Sequence, residues 1–275
     1  VAIVVIIATT SFIVVVQKLQ SGLIETEIKV SIDGLYVKPL ESSQAKVPDF
    51  SSYTDSIMKK RAFFAYLLPE IRRQNSIVQK ERAMVMSLHS VYLKTHTKGL
   101  PDKQLFNSQE QKVLNLLKKK YQLNTSNSNK IEDTLQQLLI RVDTIPKQLI
   151  LVQGANESGW GTSRFATKGY NFFGIWCFKA GCGFVPRLRD DEAVHEVAKF
   201  DDLSHAVMTY IRNLNRLDAY QELRHIRLQL RKDNKPVTAM ALSAGLMSYS
   251  ARGQEYIDEL QSMLRVNKKY MVRSQ

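Results

Sequence analysis

The sequence predicts a mainly α protein (class α+β) with a small β insertion, and three observations predict this fold class. Apolar residues recur at helical spacing in most segments between Ser52 and Leu264. Capping residues and prolines stand at positions typical of helix ends in those segments. Between residues 170 and 200 the pattern changes to short β-prone runs separated by glycines. We therefore expect helices to form the bulk of the protein and a hairpin lobe to be inserted once.

The first segment, residues 1–16, is continuously apolar and carries no charge. It is short for a complete membrane span. Because the sequence does not begin with Met, we expect the first part of the span to precede residue 1. We expect a transmembrane anchor or the core of a signal segment, and favour the anchor because no small-x-small cleavage site follows. Residues 17–50 lack sustained periodicity and hold several Ser, Pro and Gly residues, which predicts a linker.

Residues 51–130 are predicted to form a helical N-terminal region. A first helix is expected to be interrupted or kinked at Pro69 and to continue over Ile71–Leu93. Ser108 followed by Gln111 predicts a capping box at the start of the next helix. The pattern alone does not decide whether this region packs on the rest of the chain or covers a groove.

Residues 131–275 continue the helical pattern around the β insertion and form the second predicted domain. Pro146 suits the first position of a buried helix, for which Asp143 or Thr144 supplies the expected cap. Further helices are expected to begin at Ser204, near Thr238 and at Glu255.

Glu157 stands in the last turn of the Pro146 helix, where an acid is electrostatically disfavoured. Gly159 and Gly161 are expected to end this helix. A carboxylate in the last turn meets the negative end of the helix dipole, and Trp160 and apolar neighbours further disfavour its charged form. Both effects are expected to raise the pKa of Glu157, as a general acid working near neutral pH requires.

The charge balance narrows the range of partners. Lys and Arg exceed Asp and Glu by 39 to 26, which gives a net charge of +13. This excess suits nucleic acid, an anionic membrane or an acidic polymer such as a cell wall, or serves only solubility. The apolar first segment and the lack of a recognised nucleic-acid-binding motif argue against nucleic acid.

Cys177 and Cys182 are the two cysteines of the chain. Two cysteines are too few for a metal site, and the five histidines show no HExxH or comparable spacing, so we expect no metal and no cofactor. In an exported protein a local disulfide is a better interpretation than two unrelated thiols. Such a short loop contributes roughly 2 kcal/mol and would hold a local turn.

Four ordered motifs resemble the glucosaminidase domain of bacterial autolysins, glycoside hydrolase family 73. They are ANESGWGTSRFA, YNFFGIWC, KFDDLSHAVMTYIRNLNRLDAY and MSYSARGQEYIDEL. The sequence is also similar to the Bax-like proteins of Gram-negative bacteria within this family, through KKRAFFAYLLPEIRRQN and RVDTIP upstream. The resemblance implies a lysozyme-like fold for residues 131–275, with an α lobe, a β hairpin and a glycan groove between them. It implies cleavage of the β-1,4 bond after N-acetylglucosamine in peptidoglycan.

The resemblance also implies roles for three residues. Glu157 matches the catalytic acid of the ESGWG motif and would protonate the leaving glycosidic oxygen; the alternative is a structural glutamate in a salt bridge. Tyr249 matches the tyrosine of the family's Tyr-Ala-Thr motif, which here reads Tyr-Ser-Ala. Its hydroxyl would orient the acetamido group of the substrate or stabilise the oxocarbenium ion. Tyr256 matches the tyrosine seven residues further on and is assigned to substrate binding.

Asn171 and the residues that follow match the segment that lines the groove beside the acid. Asn171, Phe173 and Trp176 are the expected substrate contacts, because aromatic faces stack on sugar rings. For Phe172, ordinary core packing is an equal alternative.

The sequence does not identify the second catalytic carboxylate. Glycosidases commonly pair two carboxylates, and the β lobe offers Glu192 and Glu196 as candidates. Asp201 and Asp202 are better explained as caps of the Ser204 helix. The family also admits a mechanism in which the acetamido group of the substrate replaces the second carboxylate.

These observations predict a monomeric peptidoglycan N-acetylglucosaminidase that binds glycan strands and the membrane. It would lie in the bacterial cell envelope, anchored in the inner membrane and facing the periplasm, or periplasmic if residues 1–16 are removed. Two alternatives are a non-catalytic peptidoglycan-binding protein and an enzyme acting on another N-acetylglucosamine polymer, such as the core of N-glycans.

Overall fold

A computed structural model describes residues 40–97, 105–123, 130–186 and 195–271. The helices are α1 (Glu41–Gln44), α2 (Ser56–His96), α3 (Ser108–Lys120), α4 (Ile131–Arg141), α5 (Lys147–Ser158), α6 (Arg164–Gly169), α7 (Leu203–Arg216), α8 (Gln221–Lys232), α9 (Ala239–Ser243) and α10 (Gln254–Met271). The strands are β1 (Trp176–Cys177), β2 (Gly183–Phe184) and β3 (Glu196–Ala198). Single 3-10 turns lie at Phe50–Ser52, Asp218–Tyr220 and Ala244–Leu246. The prediction of a mainly α fold with a small β insertion is confirmed.

Helix α2 packs against α4, α5, α7 and α10. Its buried side chains, among them Phe63 and Leu67, belong to the same apolar core as Val152 of α5 and Leu260 of α10. The region upstream of residue 131 therefore shares its core with the remainder of the chain.

Helix α2 is continuous through Pro69, so an interruption there is wrong, while a kink at Pro69 stays a prediction. Proline removes one backbone hydrogen bond and crowds the preceding turn, which destabilises an isolated helix. Leu67, Leu68 and Ile71 on either side of it are buried. Because burial of those side chains stabilises both flanking turns, the helix persists across the missing hydrogen bond.

The cap of α3 begins one residue earlier than predicted. Asn107 Oδ1 accepts hydrogen bonds from the backbone N–H groups of Gln109 and Glu110, and the Glu110 carboxylate accepts from the Asn107 N–H. This reciprocal pair is a capping box in which Asn107 and Glu110 take the roles expected of Ser108 and Gln111.

The caps of α5 and α7 also differ from the predicted ones. Pro146 precedes α5 without a side-chain cap, so neither Asp143 nor Thr144 fills that role. Helix α7 is capped by Asp202, whose carboxylate accepts from the His205 N–H, as expected of an aspartate at this position. Ser204 is not the cap, because it lies inside the helix, where its Oγ accepts a hydrogen bond from Arg73 of α2.

The β insertion is a three-stranded sheet in the order β1-β3-β2. Both outer strands pair with β3 in antiparallel fashion, Trp176 opposite Val197 and Gly183 opposite Ala198. The predicted hairpin lobe is confirmed, since the consecutive strands β2 and β3 pair in antiparallel fashion, and β1 pairs with the other edge of β3. Helices α6 and α8 were not predicted.

The first predicted elements fall largely outside the described residues. Residues 1–16, the expected anchor, and residues 17–39 of the expected linker lie there. At the end of that linker, Ser43 Oγ donates a hydrogen bond to the buried Glu70 of α2, and Phe50 packs edge-on against Phe63. Within the four described ranges, no helix combines the length and apolarity that crossing a membrane requires.

Candidate active site

Glu157 lies in the last turn of α5, as predicted. The helix is built from buried apolar residues, including Leu149, Ile150 and Val152, so it runs through the core. Gly159 ends it in the left-handed conformation, with φ 57°, which glycine adopts without a Cβ clash. The end of a core helix thereby brings Glu157 to a partly buried position.

The pKa of Glu157 is raised above its usual value, in the direction that the sequence predicts. Burial of the carboxyl is the largest cause. A hydrogen bond from Tyr256 opposes it by favouring the charged form, the charge of Glu259 raises the pKa further, and the charge of Arg252 lowers it. Because burial outweighs the opposing contacts, Glu157 retains its proton to higher pH than an exposed glutamate.

A chain of hydrogen bonds connects the Glu157 carboxyl to the core. Tyr256 Oη donates to Glu157 Oε1 at 2.8 Å, and Gln153 Nε2 donates to Tyr256 Oη at 3.0 Å. Tyr210 Oη donates to the amide oxygen of Gln153. Gln153, Tyr210 and Tyr256 are all buried.

The two tyrosines of the last motif contact the acid and the loop beside it, and their predicted roles toward the substrate stay predictions. Tyr256, which the sequence assigned to substrate binding, is buried and bonded to the acid. Tyr249 Oη donates to the carbonyl oxygen of Phe173 at 2.6 Å, and its ring stacks on that of Tyr256 with centroids 5.6 Å apart. Burial raises the pKa of Tyr249 well above its usual value, so its hydroxyl is a neutral donor.

The loop after α6 passes beside the acid. Gly174 has a φ of +62°, and a Cβ added there would lie 3.1 Å from Glu157 Oε2. A side chain at this position would therefore press on the carboxyl. The expectation that this segment adjoins the acid agrees with the geometry.

Asn171 and Phe173 support that loop from inside, and their assignment as substrate contacts stays a prediction. The Asn171 side chain is bonded to backbone: its amide donates to the carbonyl oxygens of Ile175 and Ala198, both at 2.8 Å, and its oxygen accepts from the Ile175 N–H. Phe173 is 1% exposed and stacks on Tyr210 with centroids 4.3 Å apart. Phe172 is likewise buried in the core.

Trp176 is the predicted contact that lies at the surface. It is 54% exposed and stacks on His195 with ring centroids 4.2 Å apart. Phe178, on the loop that follows β1, is 74% exposed. Contact between Trp176 and a sugar stays a prediction.

Glu196 holds the loop between β1 and β2 together. Its two carboxylate oxygens accept hydrogen bonds from the N–H groups of Gly181 and Gly183. The side chain is buried, and these bonds give it a structural role, while its assignment as a second catalytic carboxylate stays a prediction. Glu192, the other candidate, lies outside the described residues.

The disulfide predicted between Cys177 and Cys182 is confirmed. It closes the loop that Glu196 holds. The two sulfurs and the Glu196 carboxylate lie within 4.8 Å of one another. Because both sulfurs are oxidised in the disulfide, they offer no thiolate ligands for a metal.

Gln153, Tyr210 and Glu259 are residues of this site that the sequence did not predict. Gln153 had a detectable signal, since it stands four residues before Glu157 on the same helix and so shares its face. Tyr210 and Glu259 come from distant segments, and their proximity to the acid follows from the fold.

Comparison with known proteins identifies the family. The family model described as mannosyl-glycoprotein endo-beta-N-acetylglucosaminidase, named Glucosaminidase, matches residues 132–269. The chain is 31% identical over 229 residues to "Protein bax" of Escherichia coli strain K12, a match that covers 83% of this chain and 77% of that protein. No solved structure matches the chain significantly. The chain therefore belongs to the glucosaminidase family and is a Bax-like member of it.

Proposed function

We propose that this protein is a peptidoglycan hydrolase, an endo-β-N-acetylglucosaminidase that cleaves the β-1,4 bond after N-acetylglucosamine. The observation that carries the proposal is the Glu157 carboxyl. It is partly buried, has a raised pKa and receives a hydrogen bond from a buried tyrosine. Membership of a family described as a mannosyl-glycoprotein endo-beta-N-acetylglucosaminidase supports cleavage of a glycan after N-acetylglucosamine.

In the proposed reaction, protonated Glu157 transfers its proton to the glycosidic oxygen as the bond to the anomeric carbon breaks. The electron pair of that bond leaves with the oxygen, and positive charge develops on the sugar ring. Tyr256 continues to donate to Oε1 and stabilises the carboxylate that remains. Water then supplies a hydroxyl to the anomeric carbon and returns a proton to Glu157.

We make a separate proposal for the identity of the group that faces the anomeric carbon. Because Glu196 is bonded to backbone amides, Glu192 is the β-lobe carboxylate that we retain for this role. A Glu192→Gln variant is expected to lose most of its turnover on sacculi. Full activity in that variant would assign the role to the acetamido group of the substrate.

The test of the proposed function is mass analysis of the muropeptides that the wild-type protein releases from purified sacculi. New reducing ends on N-acetylglucosamine are the expected result. Reducing N-acetylmuramic acid would identify a muramidase instead. Binding to sacculi without release of muropeptides would overturn the proposal in favour of a non-catalytic peptidoglycan-binding protein.

We further propose that the protein acts in the cell envelope as a monomer, with residues 1–16 anchoring it in the inner membrane and the enzyme facing the periplasm. Its net charge of +13 suits the anionic stem peptides of peptidoglycan. Fractionation of cells that express the chain with and without residues 1–16 tests this location. Recovery of both forms in the soluble periplasmic fraction would contradict anchoring.

Glycine at position 174 is expected to be required for activity. Gly174→Ala places a methyl group 3.1 Å from Glu157 Oε2 and also strains a backbone with a φ of +62°. Because displacement of a catalytic group costs rate steeply, we expect kcat on sacculi to fall about 10-fold to 100-fold.

Gly181→Ala is the matched control for this variant. Gly181 has a φ of +78°, so alanine is strained there in the same way, but a Cβ at this position meets nothing within 4 Å. We expect Gly181→Ala to resemble Gly174→Ala in loss of thermal stability and the wild type in kcat. Equal turnover of the two variants would show that contact with the acid is irrelevant.

A further inference from the structure

We infer that Gln153 is a positioning residue for the acid. It orients the phenol of Tyr256 as a donor to Oε1 of Glu157, so that the transferable proton is carried on Oε2. This inference rests on the proposed function of Glu157 as proton donor, and assigns a role to a side chain that touches neither substrate nor the reacting atoms.

Tyr210 sets the direction of the hydrogen bonds in the chain that leads to Glu157. Its pKa is raised well above the usual value by burial, so it keeps its single hydroxyl proton, which it donates to the Gln153 oxygen. The carbonyl side of the Gln153 amide therefore faces Tyr210, and its N–H group faces Tyr256 at 3.0 Å. Tyr256 accepts this hydrogen bond, which directs its own proton to Glu157 Oε1 at 2.8 Å.

The consequence for Glu157 is a distinction between its two oxygens. In a neutral carboxyl, the unprotonated oxygen is the stronger hydrogen-bond acceptor. The oxygen that accepts from Tyr256, Oε1, is therefore the unprotonated one. The proton is then carried on Oε2. That oxygen lies beside Gly174, where an added Cβ would be 3.1 Å from it.

Reversing the Gln153 amide would move the acid proton from Oε2 to Oε1. The amide oxygen would then accept the Tyr256 proton, and Tyr256 could only accept from Glu157, which would place the acid proton on Oε1. A Tyr256 that accepts from Glu157 stabilises the neutral acid and raises its pKa, whereas a donating Tyr256 stabilises the carboxylate and lowers it. Removal of Gln153 therefore shifts the pKa of Glu157 in opposite directions in the two arrangements.

Several other groups act on Glu157 and set the background against which the effect of Gln153 is measured. Their sources are α10, the loop before it, α7 and the 3-10 turn after α7. The groups coupled to Glu157 through hydrogen bonds or charge are Tyr256, Glu259, Arg252, Tyr249, Tyr210 and Tyr220. The variants below leave Glu259 and Arg252, the two oppositely charged groups, unchanged.

The test is the pKa of Glu157 in Gln153→Met, Tyr256→Phe and the double variant. It is read from the carboxyl ¹³C shift, assigned with Glu157→Gln, and from the alkaline limb of the pH profile of kcat. Methionine matches the length of glutamine and cannot bond Tyr256. We expect each single variant to shift the titration about one pH unit upward, because a hydrogen bond to the carboxylate is lost or weakened. We expect the double variant to match Tyr256→Phe alone, because Gln153 acts through Tyr256.

Gln261→Met is the matched control, since it removes a partly buried glutamine of α10 that donates to Ser243. It is expected to leave the Glu157 titration unchanged. If Gln153→Met fails to fold, Tyr210→Phe removes the donor at the start of the chain and is expected to shift the titration in the same direction by less.

Three results would overturn the inference. They are an unchanged titration in a folded Gln153→Met protein, a downward shift, and a further full shift when Gln153→Met is added to Tyr256→Phe. The carboxyl ¹³C titration needs no substrate. Inactivity of the wild type on sacculi would therefore refute the proposed function while the titration still tested the role of Gln153.

Discussion

Glu157→Gln is expected to lower kcat on purified sacculi by at least about 100-fold. Glutamine keeps the size of the side chain and can still accept the hydrogen bond that Tyr256 donates at 2.8 Å. It cannot transfer a proton to the glycosidic oxygen, so the loss measures acid catalysis and not collapse of the site. Initial rates of muropeptide release at several pH values provide the measurement.

Glu255→Gln is the matched control for this prediction. It removes a carboxylate from α10 whose side chain is 81% exposed and pairs with Arg252 at 3.8 Å. An exposed ion pair of this kind contributes little, so activity and thermal midpoint should stay close to those of the wild type. Retention of full activity by Glu157→Gln would remove Glu157 from the mechanism, however well the remaining geometry fits.

The wild-type pH profile follows from the same carboxyl. The acid must be protonated to act, so the rate falls as pH rises through the pKa of Glu157. Because burial raises that pKa, the decline begins at higher pH than an exposed glutamate would give.

Asp143→Asn is expected to lower the free energy of unfolding by about 3–5 kcal/mol, the largest effect on stability that we predict. Asp143 is 2% exposed and pairs with Arg231 at 3.0 Å, Arg82 at 3.5 Å and Arg227 at 3.9 Å. Arg227 is 1% exposed, and although burial lowers its pKa to about 10 it remains charged at neutral pH. Removal of the carboxylate leaves that charge buried and without its counter-ion. Urea unfolding measured at neutral pH tests the prediction.

The control for this variant is Asp218→Asn, which removes a carboxylate whose side chain is 91% exposed and lies 3.7 Å from Arg141. Its cost should be below about 1 kcal/mol, because solvent screens an exposed pair. Equal costs for the two variants would show that the buried cluster contributes no more than a surface contact.

The pH dependence of this stabilisation has a definite sign. Burial raises the pKa of Asp143, but the charge of Arg227, the hydrogen bond from Arg231 and the charge of Arg82 together outweigh it, so the pKa lies below the usual 3.8. A group whose pKa is lower in the folded than in the unfolded protein stabilises the fold at pH values above its unfolded pKa. This stabilisation is lost as the pH falls through its folded pKa. The difference between wild type and Asp143→Asn should therefore be constant near neutral pH and shrink below pH 3.8.

Local sequence signals predicted the fold class and most of its helices. The helical periodicity after residue 131, the glycine punctuation near residue 174 and the position of Glu157 at a helix end all depend on neighbouring residues. Interactions between residues close in the sequence can be predicted directly from the spacing of residue types. The disulfide between Cys177 and Cys182 was accessible for the same reason, since only four residues separate them.

The caps and the β strands were less predictable. A cap depends on which of several adjacent polar residues has the right backbone conformation, as with Asn107 and Ser108. The sheet order depends on β3, which pairs with two strands that precede it by more than ten residues. Continuity of α2 through Pro69 depends on burial against distant helices, which local propensity does not contain.

The sequence by itself determined that a carboxyl would lie at the end of a core helix and that its pKa would be raised. Those outcomes follow from the apolar run before Glu157 and from the glycines after it. Only the tertiary structure decided which groups contact that carboxyl. Tyr256, about a hundred residues further along the chain, donates to Oε1, while Tyr249 bonds the Phe173 carbonyl instead. Hydrogen bonds require donor and acceptor within about 3 Å, so they are settled only where packing brings distant segments together.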